Sequence, residues 1–248
     1  MNTDKKTKIL YRTILYIFNN HIRFDLDQKK HRKAIKLVYL GIIWPIIAFD
    51  FIRKNLLILY SKSYIFNIQL SSSKRKLFLP LIRNDYIQRV IFWSNHFYEQ
   101  SSLEIVKKKY FYDDMTIIDV GANIGNHTLY YLFECNAKHV ICFEPVKSTF
   151  EILEKNITIN GLSDKVTLLN YGLSENFSRG STKNYSTNNI GATSITENEF
   201  GDIQLVRYDD LNQINFAINF IKMDVEFHEL RALRGMKKLL QLQNPIVQ

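Results

Sequence analysis

Residues 117–128, IIDVGANIGNHT, constrain the fold of this chain more than any other stretch. An apolar run of strand length leads into Asp119 and Val120, glycines stand at 121 and 125, and a helical pattern then continues through about Glu134. Glycine adopts dihedrals and approach distances that a Cβ forbids. A strand passing through Gly121 and Gly125 into a helix therefore delivers its turn to the carboxyl edge of a sheet, where open α/β folds bind ligands. The G-x-x-x-G spacing lacks the third glycine of G-x-G-x-x-G and the Lys-Ser/Thr of a P-loop, which weakens nicotinamide, flavin and nucleoside-triphosphate readings. Taken alone, such a turn is also compatible with a structural role.

The alternation continues downstream. HVICFE (139–144) reads as a second strand, and VKSTFEILEKNITI (146–159) as an amphipathic helix stopped by Asn160 and Gly161. VTLLN (166–170) and INFIKMDV (218–225) read as the third and fourth strands. FHELRALRGMKKLLQ (227–241) reads as a helix with a basic C-terminal half, and PIVQ as the start of a fifth strand. Strands alternating with helices predict a doubly wound, Rossmann-like α/β sheet covered on both faces, here expected to be truncated after the start of strand five. Residues 174–202 are rich in Ser, Thr, Asn and Gly and read as a loop or small hairpin, either a surface insertion or a flap over an acceptor. Upstream, residues 64–81 suggest a hairpin around the polar break SSSKRK, and 86–109 look helical. The expected organisation is a basic, partly apolar helical and hairpin extension over 1–96 and a ligand-binding domain over 97–248.

Glu144 ends the second strand 19 residues after Gly125, where an acid can accept hydrogen bonds from both hydroxyls of a ribose. Asp224 and Glu226 fall at or just beyond the end of the fourth strand. In a doubly wound sheet the first and fourth strands are neighbours, so Asp119, Gly121 and Asp224 should converge on one crevice. A carboxylate there can orient or deprotonate an acceptor hydroxyl while a bound donor presents its transferable group in line. His228, four residues beyond Asp224, is a second candidate base if both lie on one helix face, and a capping histidine otherwise. Asp224, Glu226, His228 and Glu229 are close in sequence, but the order H-E-x-x-H is absent and acids suit the start of a helix, so no metal is expected.

The charge is divided unevenly. Residues 1–112 hold 21 Lys/Arg against 7 Asp/Glu, a balance of +14, whereas the remainder hold 12 against 17, a balance of −5. A basic half suits nucleic acid, anionic lipid, phosphorylated glycans or simple solvation. The uncharged run 37–49 contains Pro45 and is shorter than the roughly 20 residues a membrane span needs. It reads as a helical cap or as a patch resting on a membrane surface. Two cysteines build neither a disulfide framework nor a four-ligand zinc site, and the N-terminus lacks a secretory pattern. The expected location is the cytoplasm, either free of the membrane or in peripheral contact with its inner face, according to which of the two readings of 37–49 holds.

These residues resemble FkbM-type methyltransferases over roughly 97–247, through FYE (97–99), DVGANIGNHT, FEP (143–145), NGL (160–162), GLSE (172–175), GATSI (191–195) and IKMDVEFHELRALRG (221–235). The resemblance implies a class I methyltransferase fold, S-adenosylmethionine as donor, and O-methylation of a sugar or polyketide hydroxyl. It implies that Asp119, Gly121, Asn123 and Gly125 form the loop at the methionine end of the donor, that Glu144 is the ribose acid, and that Asp224 and Glu226 are the acidic motif. Phe227 stands where most relatives have glycine. Two functions are expected: an O-methyltransferase acting on a sugar or surface-glycan precursor, or a truncated, catalytically impaired remnant that keeps cofactor binding. Nucleic-acid methylation is disfavoured, because DVEF replaces the Asp/Asn-Pro-Pro-aromatic turn of base methylases.

Overall fold

A computed structural model of the chain describes residues 44–70, 73–211 and 216–248. By contacts the chain divides into Met1–Leu57 and Ile58–Gln248. The basic residues 1–36 and the first part of the apolar run, 37–43, lie outside the described residues. Helix α1 (Trp44–Tyr60) carries Pro45 in its first turn, where the missing N–H is tolerated. Its Asp50 pairs with Arg53 and Lys54, and Phe49, Ile52 and Leu56 are exposed. Among the described residues no helix is long and apolar enough to cross a membrane.

In Ile58–Gln248 the elements run β1 (Ile65–Leu70), β2 (Ser73–Phe78), α2 (Tyr86–Ser94), α3 (Gln100–Tyr110), β3 (Thr116–Val120), α4 (Asn126–Glu134), β4 (His139–Phe143), α5 (Lys147–Ile159) and β5 (Val166–Leu169). They continue through β6 (Gly172–Leu173), β7 (Ser178–Lys183), β8 (Ser194–Glu197), β9 (Ile203–Val206), β10 (Phe220–Met223), α6 (Glu229–Gly235), α7 (Lys237–Gln243) and β11 (Ile246–Val247). The central sheet has the order β11-β10-β3-β4-β5, all parallel, with β10 beside β3 as a doubly wound topology requires. Its central strands β3, β4 and β10 are largely buried and read as mostly apolar runs, whereas the edge strand β11 is exposed. Successive side chains point to opposite faces. Ile117, Val140 and Phe220 pack with α4 and α5 residues such as Leu129 and Leu153. Ile118, Ile141 and Ile221 pack with Ala232 of α6 and Leu239 of α7.

The hairpin β1–β2 is antiparallel, and Lys74 to Lys76 of the polar break lie inside β2. Buried Asn156 of α5 fastens it: Oδ1 accepts from Phe78 N at 2.6 Å, while Nδ2 donates to Ile124 O of the β3–α4 loop at 2.9 Å. The expected helix over 86–109 is two helices, separated where Asn95 and Glu99 take left-handed dihedrals. The expected helix over 227–241 also breaks, at Met236, after Gly235 brings its backbone against Ser174 O. Residues 174–202 contain the hairpin β7–β8, which joins β6 and β9 in a four-stranded sheet ordered β6-β9-β7-β8.

Candidate functional site

The site forms where β3, β4 and β10 end. Gly121 (φ +76°) and Ala122 both donate to Phe143 O, at 2.9 and 3.0 Å, which ties the β3–α4 loop to β4. Asp224 N donates to Val120 O at 3.1 Å, which ties β10 to β3. A Cβ on Gly121 would lie 2.1 Å from Asp224 O, so this glycine is required for the two strand ends to meet. Asn123 (φ +50°) turns its amide to Glu144 Oε2 at 2.9 Å, and Val146 N donates to Oε1 at 3.0 Å. Burial pushes the Glu144 carboxyl up to about 7, against the opposing pull of these amides and of Lys222.

A cavity of about 280 Å³ opens at these strand ends. Gly121, Asn123, Glu144, Asp224 and Glu226 line it, so five of the eight residues expected from the sequence are brought together. Asp119, Gly125 and His228 are not in its wall. Asp119 is fully buried behind the loop, accepting from Thr128 Oγ1 at 2.7 Å. Gly125 (φ +89°) caps α4 against Leu153. Of the two readings of His228, a base sharing a helix face with Asp224 or a capping histidine, the first lacks its helix: Glu226 and Phe227 are left-handed, and His228 stands at the capping position of α6, without a side-chain capping bond. Its ring faces Arg231, Glu197, Glu229 and Glu175, and burial lowers its pKa.

Lys222 is the main residue that sequence reasoning missed. It is buried, lies in register with Asp119 on the neighbouring strand, and lines the cavity. Nζ donates to Gly121 O at 2.9 Å and lies 3.3 Å from Asp119 Oδ1 and 3.8 Å from Asp224 Oδ2. The only sequence signal is a lysine inside an apolar strand two residues before an acid. His127 and Glu99 were missed as well: His127 Nε2 is 3.8 Å from Glu99 Oε2, and burial together with Lys222 lowers the imidazole to about 4, so it is neutral at pH 7. Burial raises the pKa of Glu226, with Asp224 and Glu229 adding to the shift. Among the described residues no group of three or more His, Cys, Asp or Glu could hold a metal ion.

The donor set fits a nucleoside with a cationic tail. Each Glu144 oxygen has accepted one amide and keeps a free lone pair for a ribose hydroxyl. Asn123 Oδ1 is buried in the wall with no hydrogen-bond partner among the described residues, an acceptor left for a ligand donor. Glu99, Asp224 and Glu226 make the rest of the wall anionic, against the single cation of Lys222.

Sheet order, glycine turn and acid at the end of β4 together define a class I methyltransferase. Residues 119–248 match the Methyltransferase FkbM domain, and the chain belongs to that family. S-adenosylmethionine is accordingly its cofactor. The chain is similar to the hexuronic acid methyltransferase AglP of Haloferax volcanii, 32% identical over 142 residues that cover 54% of this chain and 55% of the relative. It is similar to Methyltransferase 1 of Beauveria bassiana, 28% identical over 149 residues that cover 51% and 60%. It thus spans little more than half the length of the curated relatives it matches. A crystal structure of methyltransferase FkbM from Methylobacillus flagellatus aligns with a TM-score of 0.42 at 24% identity, covering 60% of this chain and 35% of that one.

Proposed function

We propose that this chain methylates a hydroxyl of a sugar or surface-glycan precursor. The observation that carries the reading is the convergence of Glu144, Asn123, Asp224 and Glu226 on one cavity. Bound S-adenosylmethionine supplies an electrophilic methyl group on a sulfonium. Glu144 holds the ribose, and Asn123 Oδ1 of the β3–α4 loop, unpartnered among the described residues, accepts a donor of the cofactor's methionine end. A second cavity of about 390 Å³ shares Pro145 and Val146 with the first and reaches Asn170, Asp202 and Gln204, groups suited to a nucleobase edge. Asp119 acts indirectly, through Lys222, to set the loop and Asp224. Glu226 is the base in this reading: its raised pKa brings it closer to a hydroxyl's needs than an ordinary carboxylate, while Asp224 orients the acceptor. The name of the Haloferax volcanii relative supports a sugar acceptor. We further propose a cytoplasmic enzyme whose basic half, +14 over residues 1–112, rests on the anionic inner face of a membrane.

The test is calorimetric titration with S-adenosylhomocysteine, followed by incubation of labelled donor with glycan precursors. Saturable binding, loss of binding in Glu144→Ala and loss of transfer but not binding in Glu226→Gln are expected. Absence of saturable binding, or full transfer by Glu226→Gln, defeats the respective assignment. One observation favours a second reading, cofactor binding without turnover: Phe227 holds a left-handed backbone (φ +73°) at the edge of the acidic motif. Turnover gained only on Phe227→Gly would establish it.

A further inference from the structure

One wall of the cavity comes from outside the matched domain. Ile87 and Tyr98 precede residue 119, yet they line the same space as Ile190 and Ala192, from the segment between β7 and β8. That segment, residues 184–193, belongs to no strand. Two of its backbone hydrogen bonds reach across the chain, and both end at the start of α2. Tyr86 N donates to Asn188 O at 3.0 Å, and Ile190 N donates to Asp85 Oδ2 at 3.0 Å. Asp85 has no solvent exposure, and its other oxygen accepts from Gln88 N at 2.9 Å as the cap of α2. Each carboxylate oxygen thus has a separate task, one inside the helix and one across to the segment. Tyr98 is fastened independently: its N–H donates to Asn126 Oδ1 at 2.9 Å, and its carbonyl accepts from Asn126 Nδ2 at 3.1 Å.

We propose that Asp85 is the positioning residue of the acceptor side, a buried carboxylate that latches residues 188–193 onto α2 and so builds the wall facing the methyl donor. The name of this wall rests on the methyltransferase reading above, whereas the latch is measurable without turnover. Packing agrees with a fixed wall: a Cβ on Gly191 would meet Ile87 Cδ1 at 2.6 Å and Asn123 Nδ2 at 3.1 Å, so the segment lies directly against both α2 and the donor loop.

Asp85→Asn separates the two tasks. Asparagine caps a helix as well as aspartate does, but with its oxygen committed to Gln88 N it turns an N–H₂ group toward the Ile190 N–H. A hydrogen bond to a charged group is worth enough that the Ile190 amide should exchange with deuterium about 10- to 100-fold faster. Amides of α2, β3 and β4 should keep their rates, and S-adenosylhomocysteine affinity should stay within about threefold, because Asp85 touches neither the loop nor Glu144. Asp85→Ala should speed exchange in α2 as well. With an accepted sugar in hand, Asp85→Asn should raise the acceptor KM and leave the donor KM in place. An unchanged rate at Ile190 overturns the latch, as does acceleration spread evenly through β3 and β4. Loss of S-adenosylhomocysteine binding in parallel makes Asp85 a general stabiliser and overturns the proposal too. Failure to find any methyl acceptor overturns the functional reading and leaves the exchange result standing.

Discussion

Replacing Gly121 by alanine tests whether the meeting of β3 and β10 is what holds the site together. The new Cβ lies 2.1 Å from Asp224 O and 3.1 Å from Asp224 C, both backbone atoms that cannot rotate aside. Carbon and oxygen in contact need more than 3 Å, so one strand end must retreat by about 1 Å, at an overpacking cost of roughly 1–3 kcal/mol. The φ of +76° adds about 1–2 kcal/mol for a side chain in the left-handed region. Gly161 supplies the control: its φ is +67°, and nothing lies within 4 Å of its Cβ position, so Gly161→Ala bears the conformational cost alone. At roughly 2–4 °C per kcal/mol for a domain of this size, Gly121→Ala should melt about 4–20 °C below the wild type and Gly161→Ala about 2–8 °C below. S-adenosylhomocysteine affinity should fall at least tenfold in the first and hold in the second. Differential scanning calorimetry and isothermal titration give both numbers. Equal melting temperatures for the two variants, with undiminished affinity in Gly121→Ala, would refute the claim that backbone contact at Gly121 assembles the site.

Lys222→Met leaves Asp119 buried without its cation and should cost about 3–5 kcal/mol in urea unfolding, most of it recovered by adding Asp119→Asn; additive losses would contradict the pairing. Phe227 is 95% exposed and left-handed, so Phe227→Gly sacrifices little burial, relieves strain and should stabilise by about 0.5–1 kcal/mol; destabilisation on a melt would remove strain as the reason glycine suits this position. The Glu144 carboxyl stands at about 7 when folded, against 4.5 as a free group. A raised acid makes the folded state bind the extra proton, so stability is greatest below pH 4.5 for this group alone and declines as pH rises to 7, by on the order of 3 kcal/mol. Glu144→Gln should flatten that slope. Ribose hydroxyls donate to the charged form, so wild-type affinity for S-adenosylhomocysteine should rise from pH 6 to 8 while the variant stays flat; a flat wild-type profile counts against Glu144 as the ribose acid.

What a single sequence discloses here depends on how far away the partner of each residue lies. Glu144 and Asp224 were legible because a strand end is marked locally, by an apolar run giving way to an acid, and strand ends share one edge of a parallel sheet. Lys222 was not, although it is two residues from Asp224, because its meaning comes from register: only the pairing of Lys222 with Asp119 shows that a lysine in an apolar strand faces a buried carboxylate. The shared helix face of His228 and Asp224 is absent for a local reason of the opposite kind, since spacing by four counts only inside a helix, and Glu226 and Phe227 turn left-handed just before the one that His228 begins. The hairpin offered for the polar segment 174–202 is present, but its place in a four-stranded sheet was not legible because its strands bury so little: along β7 only Gly180 is fully enclosed, and a glycine gives no apolar signal. Asp85 lies 105 residues from Ile190, and an aspartate before a helical run already has a sufficient explanation as a cap. Its second oxygen is invisible to any window read along the chain. The wall under Glu144 and Asp224 is made of strand ends and turns, which spacing exposes, whereas the wall proposed for the acceptor is held by two long-range hydrogen bonds between the start of α2 and a loop. On the proposed assignment, substitutions at Asp85 or Ile87 should shift the acceptor KM while leaving every donor motif untouched.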